Sequence, residues 1–211
     1  MYQNIKELQN WLNVQQLDVA YISDFHSISY LTGFESDPIE RILALVLFPQ
    51  NDPFIFAPAL EVETVKATGW PYPVYGYQDS EDAFAMIAGH IKDETTHFEN
   101  WAVEKGTLTL ERAQQIQRVV PNVKFKDDLT PLIERMRLIK TPAEIEKMHQ
   151  AGADADRAFQ FGFDALATGK TELEVMAELE YHIKARGVPA MSFETLVQFG
   201  AHAANPHGST G

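Results

Sequence analysis

Cysteine is absent from the 211 residues of this chain. Its absence excludes disulfide frameworks, zinc sites built on thiolates and thiol nucleophiles. Long apolar runs are absent too, since the strongest one, residues 42–48, is far too short to cross a bilayer. The first residues also lack the apolar stretch of a signal peptide. We therefore expect a cytoplasmic protein that has no membrane partner.

Basic residues are scarce. The chain has 17 Lys and Arg against 30 Asp and Glu, which gives a formal net charge of −13. An acidic surface repels phosphate backbones, so we expect no nucleic-acid partner. Hydrophobic residues make up 45% and charged residues 22%, which is typical of a globular protein with a buried core.

The common catalytic and metal-binding motifs are missing as well. The sequence contains no His-Glu-x-x-His, no calcium loop, no P-loop or Gly-x-Gly-x-x-Gly fingerprint, and no Gly-x-Ser-x-Gly elbow. His202 and His207 are five residues apart, which suits one metal poorly on a helix or a strand. His182 lies four residues after Glu178, a spacing more typical of a surface pair than of a metal site.

Residues 1–128 alternate between helical and extended patterns, which predicts an α/β domain with a mixed sheet flanked by helices. Six short apolar segments are predicted as strands, and those at 42–48 and 54–56 form a hairpin around the turn residues 49–52. Helices are predicted in between, including one over 25–31 that Gly33 ends. The predicted core consists of Val19, Ile22, Leu43, Leu45, Leu47 and Phe56.

The pattern changes after residue 128. Residues 129–141 are predicted as a helical linker, and residues 142–211 as the start of a second domain. Thr141 with Glu144, and Thr171 with Glu174, have the spacing of capping boxes that begin two long helices. Apolar stripes follow on both: Ile145, Met148, Gly152, Ala155, Phe159, Phe163 and Leu166 on the first, and Leu173, Met176, Leu179 and Ile183 on the second. Each stripe predicts one buried helix face, and residues 193–199 are predicted as a strand.

Two places hold candidate functional residues. Asp37, Glu40 and Arg41 form a charged cluster after Gly33, which is either a polar loop or a loop that presents its charges to a ligand or a neighbouring subunit. His207 follows Pro206, whose ring restricts the backbone, and precedes Gly208, which permits close approach. An imidazole there can exchange hydrogen bonds with a substrate at neutral pH.

Three stretches in order resemble the prolidase-like peptidases, the family of Xaa-Pro dipeptidases and aminopeptidases P. The first is YLTGF at 30–34 with the Glu-Arg pair at 40–41. The second is RLIKTPAEI at 137–145, similar to the segment that opens the family's catalytic domain. The third is FETLV at 193–197 followed by Asn-Pro-His at 205–207. Together these stretches span nearly the whole chain.

The resemblance implies a creatinase-type N-terminal domain over 1–128, followed by the incomplete start of an α+β pita-bread catalytic domain. It implies hydrolysis of the bond before proline in dipeptides or short peptides by a homodimer with two divalent metals, manganese or cobalt. His207 would bind substrate and stabilise the oxyanion. In the family the five metal ligands follow that histidine, so this chain alone is expected to bind no metal and to be inactive.

Two alternatives remain beside an Xaa-Pro dipeptidase. A creatinase-like C–N hydrolase shares the fold and uses no metal. A pita-bread domain without metal ligands can also serve as a non-catalytic binding module. Metal-ligating residues after His207 in a longer protein would indicate the peptidase.

Overall fold

The computed structural model describes residues 2–211, which fold as two compact units. The first unit extends to Ile139 and the second from Lys140 to Gly211. The first contains the predicted α/β layer. The second is built from two helices and an irregular segment.

A six-stranded mixed sheet forms the centre of the first unit. The strands are β1 (Val19–Ile22), β2 (Ala44–Leu47), β3 (Phe54–Pro58), β4 (Val74–Tyr77), β5 (Asn100–Val103) and β6 (Lys124–Asp128). Their order in the sheet is β4-β3-β2-β1-β5-β6, with antiparallel pairs at β1/β2 and β2/β3 and parallel pairs elsewhere. The predicted hairpin is thereby confirmed as β2 and β3.

Helices cover both faces of this sheet. The parallel pairs β3/β4 and β1/β5 need crossover connections, and helices supply them. The helices are α1 (Tyr2–Gln15), α2 (Phe25–Thr32), α3 (Val62–Ala67), α4 (Ala83–Glu94), α5 (Leu110–Val119) and α6 (Thr130–Leu138). Asp24 caps α2 by accepting from the Ser27 amide, and Gly33 ends it at φ 77°, as predicted.

Strand alternation divides the core of the first unit into two clusters. Ala20 and Ile22 face the α1 side, whereas Val19 and Tyr21 lie in the cluster that contains α4 residues such as Ile87. All six predicted core residues are buried. Leu129 and Ile133, from the segment predicted as a linker, also belong to the first cluster. The boundary at residue 128 stays a prediction.

The second unit begins with α7 (Pro142–Ala165) and α8 (Glu172–Ala185). Both predicted capping boxes are present, with the threonine hydroxyl and the glutamate bonded reciprocally at each helix start. Gly169 turns the chain between the helices at φ 92°, a conformation that favours glycine. The helices approach closely, since a Cβ on Gly162 would lie 3.0 Å from a methyl of Leu179.

Two predictions for the second unit are wrong. The α7 stripe is not buried, because Phe159 and Phe163 are 70% and 66% exposed. Leu173 on α8 is exposed as well, whereas Leu179 and Ile183 are buried as predicted. Residues 193–199 form no strand, because no described segment pairs with them in a ladder. Strands need a hydrogen-bonded neighbour, which an apolar pattern alone does not provide. No described helix combines the length and apolar character of a membrane span.

Candidate functional site

The charged loop before β2 is held by several hydrogen bonds in the first unit. Asp37 accepts from the Ile39 amide at 3.0 Å, which closes a tight Asx turn. Ile39 has φ 57°, a left-handed conformation that is strained for a β-branched residue, and its side chain is 81% exposed. The loop therefore keeps a defined shape and presents an apolar tip.

Arg41 turns away from Asp37 and binds Asp79, the residue two positions after β4. Nε and one terminal nitrogen each lie 2.9 Å from an oxygen of that carboxylate. This fork raises the pKa of Arg41 and lowers the pKa of Asp79, chiefly through the side-chain hydrogen bonds. Arg112 donates to the carbonyls of Glu40 and Arg41 at 3.4 and 3.1 Å. The structure thus uses the Arg41 guanidinium to fasten the loop to the sheet.

Asp37 instead borders a shallow surface pocket of about 420 Å³. The pocket lies between α2 and the loop and is lined by Phe25, His26, Ser29, Glu35, Ser36 and Asp37. The rings of His26 and Phe25 are in contact, with centroids 4.0 Å apart and planes tilted by 36°. Of the three charged residues singled out in the sequence, only Asp37 lines this pocket.

His207 lies in a β-turn in the second unit. The Gly208 amide donates to the Asn205 carbonyl at 3.1 Å, and the His207 amide donates to the Asn205 side-chain oxygen at 3.2 Å. Asn-Pro-His-Gly has the turn preferences of these four positions, with proline second and glycine fourth. The turn leaves the His207 side chain exposed.

The turn packs against the chain that precedes it. A Cβ on Gly208 would clash with the Gln198 side-chain nitrogen, so the absence of a side chain at this position permits the close approach. The Thr210 hydroxyl accepts from the Val197 amide at 3.0 Å and donates to the Thr195 carbonyl at 3.3 Å. Side-chain hydrogen bonds here replace the ladder that a strand would have made.

Glu172, at the start of α8, is a further residue in this region that sequence reasoning missed. Its carboxylate accepts from the amides of Phe199 and Gly211 at 2.6 and 2.9 Å, and lies 2.8 Å from His202 Nδ1. The hydrogen bonds from these amides and from His202 lower the pKa of Glu172. No sequence signal distinguishes it from other acidic residues in a first helical turn.

Glu104 was also missed. It follows β5, is 4% exposed, and accepts from the Ser27 hydroxyl at 2.6 Å. Burial raises the pKa of Glu104 from its ordinary 4.5 to about 7, with Asp24 and Asp128 adding repulsion. A perturbed carboxyl in a cleft can act in catalysis. Here the carboxyl bonds the start of α2 to the end of β5, which is a structural role.

The described residues do not form a metal cluster. Nowhere between residues 2 and 211 do three His, Asp or Glu side chains come together in a metal-binding arrangement. His182 packs beside the rings of Phe161 and Tyr181, whereas Glu178, its expected partner in a surface pair, lies 2.6 Å from Lys170.

Comparison with known proteins connects these features. Residues 4–139 match the creatinase/prolidase N-terminal domain, and residues 146–211 match metallopeptidase family M24. The Xaa-Pro dipeptidase of Lactobacillus helveticus is 47% identical over 205 residues, which cover 97% of this chain and 56% of that protein. The chain thus spans about half the length of the curated relatives it matches.

Solved structures agree with the fold. The N-terminal domain of the Xaa-Pro dipeptidase from Lactobacillus brevis is 47% identical with a TM-score of 0.60, covering 62% of this chain and 97% of that one. The prolidase of Pyrococcus horikoshii matches 99% of this chain and 56% of its own, with a TM-score of 0.84. At 22% identity, the second comparison shows the fold alone.

Proposed function

Since the chain belongs to the creatinase/prolidase family, we propose that it contributes to an Xaa-Pro dipeptidase, which hydrolyses the peptide bond before proline. One observation carries the proposal: 47% identity over 205 residues to a protein described as an Xaa-Pro dipeptidase. The match to metallopeptidase family M24 after the N-terminal domain supports the same chemistry.

His207 is the residue of this chain that we propose contacts the substrate. The β-turn fixes the backbone on both sides of it and leaves the imidazole exposed. An imidazole N–H can donate to the carbonyl oxygen of the scissile bond. The same hydrogen bond strengthens as negative charge develops on that oxygen, so it favours the transition state.

Family M24 implies divalent metal ions, which activate water and polarise the peptide carbonyl when bound. We propose manganese or cobalt, which suit oxygen and imidazole ligands. The described residues do not fit such a pair, because no three potential ligands cluster among them. We therefore assign no step to the ions, and propose that the 211 residues alone neither retain manganese nor release proline.

A chimera tests the dipeptidase proposal directly. The 205 aligned residues of the Lactobacillus helveticus enzyme are replaced by those of this chain. Hydrolysis is measured as proline release from Xaa-Pro dipeptides, as amino-acid release from dipeptides lacking proline, and as urea release from creatine. We expect hydrolysis of Xaa-Pro dipeptides only. A folded chimera that holds metal and prefers creatine or non-proline dipeptides would contradict the proposal. The unfused chain, desalted after incubation with manganese, should contain no stoichiometric metal.

The role of His207 is tested in the same chimera. His207→Ala should lower kcat by about 10²–10³, the typical loss of one preorganised donor to a developing oxyanion. His149→Ala, an exposed histidine on α7, is the matched control and should have no effect. Metal content should stay unchanged in both. Activity within threefold of the parent in His207→Ala would remove this residue from the site.

We also propose that residues 37–41 lie at the interface of a homodimer and affect substrate binding. Two observations support this proposal. Ile39 is exposed in a strained backbone conformation, and Arg41 is anchored to Asp79, so the loop has one fixed conformation that a partner can recognise. Arg41→Ala should raise KM more than it lowers kcat, because a loop released from Asp79 loses binding that the ground and transition states share. Arg41→Lys keeps the charge but loses the two parallel hydrogen bonds to Asp79, so its KM should lie between those of the parent and of Arg41→Ala. Unchanged kinetics and dimerisation would leave the loop a polar connection.

A further inference from the structure

The carboxylate of Glu172 joins two distant parts of the His207 segment. Phe199 lies before the Asn205–Gly208 turn and Gly211 lies after it, and the amides of both donate to this one side chain. A carboxylate that accepts from both flanks of a loop fixes the separation of the loop ends. The two ends of the loop that carries His207 are thereby both attached to the first residue of α8.

The position of Glu172 at the start of a helix suits this task. It is the first residue of α8, where the unpaired helix amides favour negative charge. The side chain is 8% exposed, and the lowered pKa keeps it ionised at neutral pH. Hydrogen bonds to an ionised acceptor are stronger than those between neutral groups. Leu173 adds a backbone bond to the Gly211 carbonyl at 3.2 Å.

The third donor tightens the same connection. His202 Nδ1 lies 2.8 Å from the Glu172 oxygen that also accepts from Gly211. His202 begins the short 3-10 turn that leads into Asn205. The carboxylate therefore contacts the segment at its start, in its middle and at its end.

We propose that Glu172 is the positioning residue for His207: it anchors residues 199–211 to α8 and so sets where the imidazole of the Asn205–Gly208 turn is presented. The anchoring itself is a property of this chain. Its effect on catalysis rests on the proposed dipeptidase function and on the role assigned there to His207. Glu172 acts through the loop and touches no reacting atom.

The anchoring is tested first in the 211-residue chain by amide hydrogen exchange. Glu172→Gln keeps the size of the side chain but replaces one acceptor oxygen with a donor. We expect exchange at Phe199 and Gly211 to become at least about tenfold faster, with α7 unchanged. Glu178→Gln removes the same charge from the same helix at a position where Glu178 pairs with Lys170 at the surface, and it should leave the loop unchanged.

A second variant keeps the test decisive if Glu172→Gln folds poorly. His202→Ala removes one donor and leaves both amide bonds to the carboxylate. It should accelerate exchange within residues 199–211 by a smaller factor than Glu172→Gln. Unchanged exchange at Phe199 and Gly211 in a folded Glu172→Gln chain, or in His202→Ala when Glu172→Gln is unfolded, would overturn the inference.

The chimera then separates positioning from mere stability. Glu172→Gln should lower kcat about tenfold or more with a smaller change in KM, because a displaced imidazole loses transition-state contact. The double variant with His207→Ala should be no slower than His207→Ala alone, since both changes remove one interaction. Multiplied losses in the double variant would overturn the positioning role. An inactive parent chimera would instead contradict the dipeptidase proposal, and the exchange result would still decide whether Glu172 anchors the loop.

Discussion

The two units bury similar sequence patterns very differently. In α1 the apolar positions Ile5, Leu8 and Leu12 are fully buried, whereas Phe159 and Phe163 of α7 are mostly exposed. The first unit has a six-stranded sheet that receives helices on both faces. In the second unit only Ala158, Leu179 and Ile183 form a buried apolar cluster. An amphipathic stripe therefore shows which face seeks burial, and a neighbouring element decides whether that face is buried.

A pair of phenylalanine variants gives the largest expected contrast. Phe56→Ala removes a fully buried ring from β3 and should lower the free energy of unfolding by about 3–5 kcal/mol. Phe159→Ala removes a ring that is 70% exposed and should change it by less than about 0.5 kcal/mol. Urea unfolding monitored by circular dichroism measures both. Equal losses would mean that α7 is covered in solution.

The buried Glu104 of the first unit and the hydrogen-bonded Glu172 of the second should make opposite contributions to the pH dependence of stability. The folded state raises the pKa of Glu104 from 4.5 to about 7. The folded first unit therefore binds a proton more tightly than the unfolded chain. The resulting stability is fully present below pH 4.5 and is lost as pH rises to 7, by up to about 3 kcal/mol at roughly 1.4 kcal/mol per pKa unit.

Glu104→Gln should remove this dependence, and the variant should match or exceed the parent in stability at pH 8. Unfolding midpoints between pH 4.5 and 8 provide the measurement. In the second unit, the lowered pKa values of Glu172 and Glu174 contribute stability that is lost only as pH falls below the ordinary range of a glutamate. A Glu104→Gln variant whose stability depends on pH between 4.5 and 8 in the same way as the parent would refute the assignment to Glu104.

Association should distinguish the units next. The exposed apolar side chains of α7 favour self-association at high concentration. Sedimentation velocity should show concentration-dependent association of the 211-residue chain that is lost on trimming to residues 1–139, which keep the core residues Leu129 and Ile133. Replacing Phe159 and Phe163 together by serine should weaken it, whereas Leu110→Ser, an exposed leucine on α5, should not. A strictly monomeric chain would contradict the expectation.

Limited proteolysis provides a related check on the junction. We expect cleavage between about residues 128 and 142, with the sheet-containing unit spared, because the last residues of α6 and those after it are exposed. Leu138 and Ile139 are 71% and 83% exposed. Mass spectrometry of the products locates the cut. Cleavage inside the sheet before any cut at the junction would mean that the first unit is the weaker one.

Loss of a helix cap should destabilise each unit far less than loss of the buried Phe56 ring. Thr109→Ala in the first unit and Thr171→Ala in the second each remove a hydroxyl that accepts from a helix amide, at a cost of about 1 kcal/mol. Thr171→Ala should destabilise residues 199–211 as well, because α8 carries Glu172. Hydrogen exchange resolves the two units. Equal exchange rates at the Phe199 amide in the parent and in Thr171→Ala would mean that the helix cap does not stabilise the loop.

Much of the fold was predictable because neighbours along the chain decide it. The hairpin of β2 and β3, the end of α2 at Gly33 and both capping boxes follow from strand propensity, positive φ and spacing of three residues. The failures are long-range. Residues 193–199 have a strand pattern, yet hydrogen bonds to Thr210 and Glu172 organise them. No local rule reveals those partners.

The candidate residues divide in the same way. The sequence by itself determined that His207 sits in a proline-restricted turn and that an acidic, cysteine-free chain carries an α/β domain before two amphipathic helices. Only the tertiary structure decided that Arg41 binds Asp79 and that Glu104 accepts a hydrogen bond from Ser27. The same holds for Glu172, which accepts hydrogen bonds from both ends of residues 199–211. Dihedral preferences and helical spacing act over a few residues. Hydrogen bonds and burial between residues tens of positions apart exist only once the chain has folded.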